Sequence, residues 1–134
     1  MTPSSTADAV AELRQRRRDT RRELARVRWW RRLVQARRDL AVAFLARPEI
    51  TGDAGLDLSW EALAAGAPTG DELSRALWPD AAGLSVATVD DLDRLDAGLE
   101  AYETRVAATL DNVTAQMVRA LADTHRMDDG EKGP

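Results

Sequence analysis

Arg28, Arg31, Gln35 and Asp39 follow one another at intervals of three, four and four, the spacing that lines side chains up along one face of an α-helix. Their chemistry is pointed. A guanidinium forks onto a phosphate or onto guanine O6 and N7, a carboxamide both donates and accepts, and a carboxylate accepts from the N1 and N2 hydrogens of guanine. Such a line could read a guanine nucleotide. The same residues also suit a solvated face, with an Arg31/Gln35/Asp39 ladder worth a few tenths of a kcal/mol per pair, and spacing alone favours that plainer reading. No set of residues points to catalysis. The single histidine, His125, stands near the end of a helical pattern, and the chain has no cysteine. A Gly-rich phosphate loop is absent, no carboxylate pair has an evident pocket, and no metal ligands cluster. The acidic, Leu-rich stretch 92–103 lacks the converging cations that a dicarboxylate substrate needs. The chain therefore reads as a binding protein and not an enzyme, with no metal and no obligatory cofactor.

The elements that must position these residues are long helices. Ser5 and Asp8 fit a capping box, and no Pro or Gly follows until Pro48, which biases Arg47 away from α geometry. This predicts a helix over about 7–46, near 60 Å long at 1.5 Å per residue. A second helix is expected over about 88–126 behind a Thr88/Asp91 capping box. Its apolar stripe is Leu92, Leu95, Leu99, Tyr102, Val106, Leu110, Val113, Met117 and Leu121. A flexible tail takes 127–134. The linker 47–87 is rich in Gly and Pro, with short helices expected at Trp60–Ala65 and, behind a Thr69/Glu72 capping box, at Asp71–Trp78. Trp60 and Trp78 would form a small core at the end of the hairpin. The fold class is all-α, a single helical domain over 1–134. It is a long two-helix, antiparallel coiled-coil-like hairpin with short helices in the connecting segment. Leu13, Leu24, Val27 and Val34 are expected to meet Leu99, Val106, Val113 and Met117.

The first helix has more apolar surface than one partner helix can cover. At 100° per residue, Trp29, Leu33, Ala36, Leu40 and Phe44 fall within about 80° of one another. Val27, Trp30, Val34, Ala41 and Leu45 form a second stripe, about 100–160° around. One stripe suits the hairpin, and the other must be covered by the linker helices, by a second copy of the chain, or by another protein. Trp29, Leu33, Leu40 and Phe44 are accordingly expected to bind a partner.

Composition bounds the setting. The 134 residues include no run of the ~18–20 apolar residues that a bilayer span requires and no hydrophobic signal core at the N-terminus, so a soluble, cytoplasmic protein is expected. The net charge of −4 is unevenly distributed, with +7 over residues 1–50 and −11 over residues 51–134. Internal complementarity is the first reading of that division, and nucleic-acid binding by the basic half is the other. A pI near 5.0 and the lack of a helix-turn-helix pattern argue against direct DNA binding. Eighteen of the nineteen cations are Arg, a bias that a GC-rich genome accounts for.

The run Leu24-Ala-Arg-Val-Arg-Trp-Trp-Arg-Arg-Leu-Val-Gln-Ala-Arg-Arg-Asp-Leu40 resembles the first long helix of the RsiG family, anti-sigma factors of actinobacteria that respond to cyclic di-GMP. That helix carries Glu, Ser, Arg, Gln and Asp at intervals of four, three, four and four. Arg31, Gln35 and Asp39 match the last three positions, Arg28 stands in place of Ser, and Leu24 in place of Glu, with Glu23 beside it. The family repeats the motif on its second helix. Anchored on Asp111, the corresponding residues are Asp96, Glu100, Glu103 and Ala107, of which only Asp111 keeps the pattern. The upstream stretch Leu13–Arg18 and the irregular middle segment also look like the family. The resemblance implies a helical hairpin that sequesters a sigma factor by masking the surfaces it needs for core polymerase, with the acidic second helix standing in for DNA. It also implies cyclic di-GMP as a regulatory ligand held by Arg28, Arg31, Gln35, Asp39 and Asp111. Because Glu100 and Glu103 would repel its phosphates, the nucleotide is expected on a homodimer that presents the first helix twice. A homodimeric coiled-coil scaffold without a nucleotide is the alternative.

Overall fold

A computed structural model describes residues 3–46, 65–78, 84–131 and 133. Among them are three helices and no strand: α1 over Pro3–Leu45, α2 over Gly70–Leu77 and α3 over Val86–Glu131. This is the expected helical hairpin, two long helices with a short one between them in the chain. The chain divides into two compact units, Met1–Gln35 with Arg94–Pro134, and Ala36–Asp93.

In the first unit α1 and α3 run antiparallel. Arg17 reaches Thr114 while Arg31 reaches Asp96, so positions rise along one helix as they fall along the other. The seam follows a strict alternation of threes and fours, the period that keeps two helices in register. On α1 it comprises Val10, Leu13, Arg17, Thr20, Leu24, Val27, Arg31 and Val34, each buried or half-buried. On α3 it comprises Asp96, Leu99, Glu103, Val106, Leu110, Val113 and Met117. Leu24, Val27, Val106 and Val113 are buried, Val27 being only 3% exposed, and Leu13, Val34, Leu99 and Met117 are half-buried. These are the eight seam residues expected from the sequence.

The apolar stripe expected on the second helix needs correction at two places. Leu95 is 57% exposed and Tyr102 is also exposed, while their neighbours Asp96 and Glu103 hold the seam positions. Packing phase outranks hydrophobicity here because a cation on the facing helix, Arg31, meets both carboxylates.

In the second unit Thr69 caps α2. Its Oγ1 accepts from the Glu72 amide at 3.2 Å, as the expected capping box requires. The helix closes with the Trp78 amide donating to the Ser74 carbonyl at 2.8 Å, and the Trp78 ring meets Phe44 edge-on at 5.1 Å. Ala41 and Leu84 are buried, and Arg38 pairs with Asp93. Gly66 sits in a turn at φ +78, the left-handed region that suits glycine.

Three boundaries differ from expectation by more than one residue. At the start of α3 the capping box is Ser85/Thr88, not Thr88/Asp91. The Thr88 amide donates to Ser85 Oγ at 3.3 Å and the Ser85 amide to Thr88 Oγ1 at 3.2 Å, so Thr88 supplies the return contact three residues into the box and the helix begins earlier. At its other end α3 continues to Glu131, since residues 127–131 contain no Pro and a lone Gly130 costs only about 1 kcal/mol. At the N-terminus α1 starts at Pro3, a residue pre-set for the first helical turn, which places Ser5 inside the helix and not at its cap. The helix expected at Trp60–Ala65 has residues 60–64 outside the described residues, and so does the Trp60 half of the expected small core.

Candidate functional site

Seam phase carries Arg31 across the helix interface, and its guanidinium is the centre of a charge cluster. Arg31 Nε lies 3.1 Å from Asp96 Oδ1, Nη1 lies 3.0 Å from Glu103 Oε2, and Nη2 lies 3.9 Å from Glu100 Oε2. Arg28 Nε reaches the other oxygen of Glu103 at 3.3 Å, and the Gln35 carboxamide donates to Asp96 at 3.4 Å. The Arg31 side chain is only 20% exposed. The hydrogen bond to Asp96, with that to Glu103 after it, holds the guanidinium above its ordinary pKa against the opposing effect of desolvation. A cleft of about 470 Å³ opens beside the cluster, lined by Ala25, Arg28, Arg31, Arg32, Gln35 and Glu103.

The structure thus brings Arg28, Arg31 and Gln35 together, but against acids of the facing helix and not in a ladder along α1. Sequence reasoning had Asp96, Glu100 and Glu103 in view as departures from a motif. It missed them as partners of Arg31 because that role depends on the register between the helices. Asp39 is exposed and belongs to the second unit. Asp111 is also exposed. It lies fifteen residues beyond Asp96 on α3, about 22 Å along the helix at 1.5 Å per residue, and so stands apart from the Arg31 cluster.

The opposite edge of the same seam has different chemistry. The Tyr102 hydroxyl donates to Glu23 Oε1 at 3.0 Å, and the Arg105 guanidinium lies 5.7 Å from the centre of the Tyr102 ring. That hydrogen bond, followed by burial, raises the phenol pKa. Glu23 and Trp30 are seven residues apart and share a phase, as do Tyr102 and Leu95, so Trp30 and Leu95 stand on this edge too. Trp29 and Trp30 are 48% and 52% exposed and meet edge-on at 4.8 Å, with Leu33 exposed on the next turn.

Of the residues expected to bind a partner, Trp29 and Leu33 are exposed, whereas Leu40 and Phe44 are half-buried in the second unit, Phe44 against Trp78. The second apolar stripe expected on α1 is split. Val27 and Ala41 are buried and Val34 half-buried, while Trp30 and Leu45 remain exposed. The split follows from period: a 3.5-residue seam accepts Val27 and Val34, and Trp30 falls one residue short of Arg31.

Among the described residues no three His, Cys, Asp or Glu side chains converge as metal ligands, and no helix is long and apolar enough to cross a membrane. His125 is exposed on α3. No family model matches the chain, and no curated protein and no solved structure is significantly similar to it.

Proposed function

We propose that this chain is a regulatory binding protein of the RsiG-like, anti-sigma type, acting in the cytoplasm by sequestering a sigma factor. The observation that carries the reading is the edge with Trp30, Leu95 and Tyr102, left exposed on a helix pair whose own seam is already filled and extended around α1 by exposed Leu33 and by the Trp29 ring, which meets Trp30 at 4.8 Å. Adjacent aromatic side chains at the centre of an apolar patch are the usual anchors of a protein interface. Charge supplies the partner's character. Sigma domains are basic where they hold DNA, and residues 51–134 carry a net −11.

Cyclic di-GMP is the regulatory ligand that the resemblance suggests. In a single hairpin its phosphates would have to displace Asp96 and Glu103 from Arg31. We assign it to a homodimer in which the first helices of two copies pair with each other, so that Arg31 leaves Asp96 and Glu103 and Arg28, Arg31, Gln35 and Asp39 are presented twice, and binding should depend on Arg31 and Asp39. The same exposed indoles support a second reading, a homodimeric coiled-coil scaffold with no nucleotide. Light scattering on the free protein separates a stable dimer from a monomeric hairpin.

The test of the main reading is titration of purified host sigma factors against the wild type and Trp29→Ala. The variant should lose about 2 kcal/mol or more of affinity with its melting temperature nearly unchanged. Failure of every sigma factor to bind, or a collapse in melting temperature with affinity per folded molecule intact, would overturn it.

A further inference from the structure

Antiparallel pairing decides which charges meet, and it leaves one section of the hairpin without its counter-charge. The Arg17 to Thr114 hydrogen bond, and a cavity lined by Arg16, Thr20, Thr109, Asn112, Val113 and Gln116, set residues 13–22 opposite 109–118. The first stretch carries six Arg and one acid, Asp19. The second carries one acid, Asp111, and no cation, so the section has a net charge of +4. The acids expected to neutralise the basic half lie elsewhere, concentrated between Asp90 and Glu103, where Asp96, Glu100 and Glu103 engage Arg31. Among the described residues Arg22 alone of the six has a carboxylate at ion-pair distance, Asp19 at 3.7 Å. Arg18 donates to Gln15 and Arg17 to Thr114. Internal complementarity, the first reading of the charge division, therefore holds around Arg31 and fails over residues 13–22.

We propose that this cationic face binds a single strand of nucleic acid. Arg14, Arg18, Arg21, Arg28 and Arg32 fall within about 80° of one another at 100° per residue, and they span about 27 Å of helix. All five are exposed except where Arg28 leans on Glu103. Trp29 lies at the margin of this sector, its half-exposed indole between Arg28 and Arg32 in the chain. A positively charged track that tracks phosphates, joined to an aromatic face on which a base stacks, is the arrangement that holds unpaired strands. A duplex hides the base faces that the indole would use, and an acidic peptide has none. The overall charge of −4 does not oppose this, because charges act over a Debye length of about 8–10 Å at physiological salt. The inference goes beyond sigma-factor binding. Both would use Trp29, but Arg14, Arg18 and Arg21 belong to the strand alone.

The experiment is fluorescence anisotropy of the full chain with a labelled twelve-nucleotide RNA, the DNA of the same sequence, the matching duplex, and poly-glutamate of equal charge, over a series of salt concentrations. Binding of either single strand is expected, and the arm that binds more tightly identifies the strand as RNA or DNA. Four phosphate contacts would give a slope of log K against log salt of about −3. Arg14→Gln/Arg18→Gln/Arg21→Gln should flatten that slope by about 2 and lower affinity at least tenfold, with helicity by circular dichroism unchanged. Lys at the same three sites should keep most of the affinity. Trp29→Ala should weaken binding about tenfold or more at unchanged slope. The proposal is overturned if neither strand binds at low salt, if the duplex or poly-glutamate binds as tightly, or if the Gln variant binds like the wild type.

Discussion

The seam of the first unit has two edges, built from the same pair of helices with opposite chemistry. On one, Arg28, Arg31 and Gln35 meet Asp96, Glu100 and Glu103 within hydrogen-bond or ion-pair distance. On the other, the Glu23–Tyr102 hydrogen bond stands beside Trp30 and Leu95, both more than half exposed. The ionic edge is satisfied within the chain. Its opposite charges specify register, since a slip of one residue would separate Arg31 from both carboxylates, while exposed pairs add little stability of their own. The aromatic edge is the reverse. Its apolar surface remains in water, so the free energy of covering it is available to association. One edge fixes how the hairpin pairs with itself, and the other is the surface on which the proposed partner would sit.

The largest expected effect lies between the edges, in the seam they share. Leu24→Ala removes a buried side chain and should cost about 2–5 kcal/mol, nearer the lower figure because a two-helix seam can partly collapse. Chemical denaturation followed by circular dichroism measures it. A loss below about 0.5 kcal/mol would mean that the seam is not what holds the helices together.

Next comes the ionic edge. Arg31→Met leaves Asp96 and Glu103 half-buried at the seam without the guanidinium that bridges them. The melting temperature should fall, by less than for Leu24→Ala, and adding Asp96→Asn and Glu103→Gln should recover most of the loss. Recovery is the informative half. If the triple variant is as unstable as the single one, Arg31 acts by packing and not by charge.

On the aromatic edge Trp30→Ala should change stability by no more than about 0.5 kcal/mol, because half of the side chain is already in water. A larger loss would make Trp30 part of the core and remove the contrast between the edges.

The smallest effect is the titration of Tyr102, the chain's only tyrosine. The hydrogen bond to Glu23 raises its pKa, so the folded state favours the protonated phenol. That contribution is complete below the unfolded-state pKa and is lost as pH rises through the higher folded value. Phenolate absorbance should show the raised midpoint, and Glu23→Gln should lower it toward that of a free tyrosine. An unchanged midpoint in the variant would show that the hydrogen bond does not form in solution.

How much of this was legible in the sequence depends on what each feature requires. Helix identity and pairing partners followed from periodicity. Leu24, Val27, Val106 and Val113 recur at seam spacing whatever the register, and they are the buried residues of the first unit together with Val10. Register-dependent features were not legible. Leu95 was expected in the core on hydrophobicity, yet Asp96 holds that place, a choice made by Arg31 on the other helix. The Arg31/Gln35/Asp39 ladder failed for the same reason: local spacing on one helix says nothing of a stronger charge arriving from the next. The cap of α3 was missed differently. Ser85 and Thr88 satisfy the same three-residue rule as Thr88 and Asp91, and the sequence holds both.

The most direct test of the account compares the two edges against one partner. Purified sigma factor is titrated, by calorimetry, against Trp29→Ala/Trp30→Ala and against Arg28→Ala, with circular dichroism confirming that both variants are folded. The aromatic variant should lose affinity by about thirtyfold or more, the equivalent of about 2 kcal/mol, while Arg28→Ala should stay within a few-fold of the wild type. Equal losses from both variants, or a loss confined to Arg28→Ala, would contradict the assignment of the aromatic edge as the binding surface.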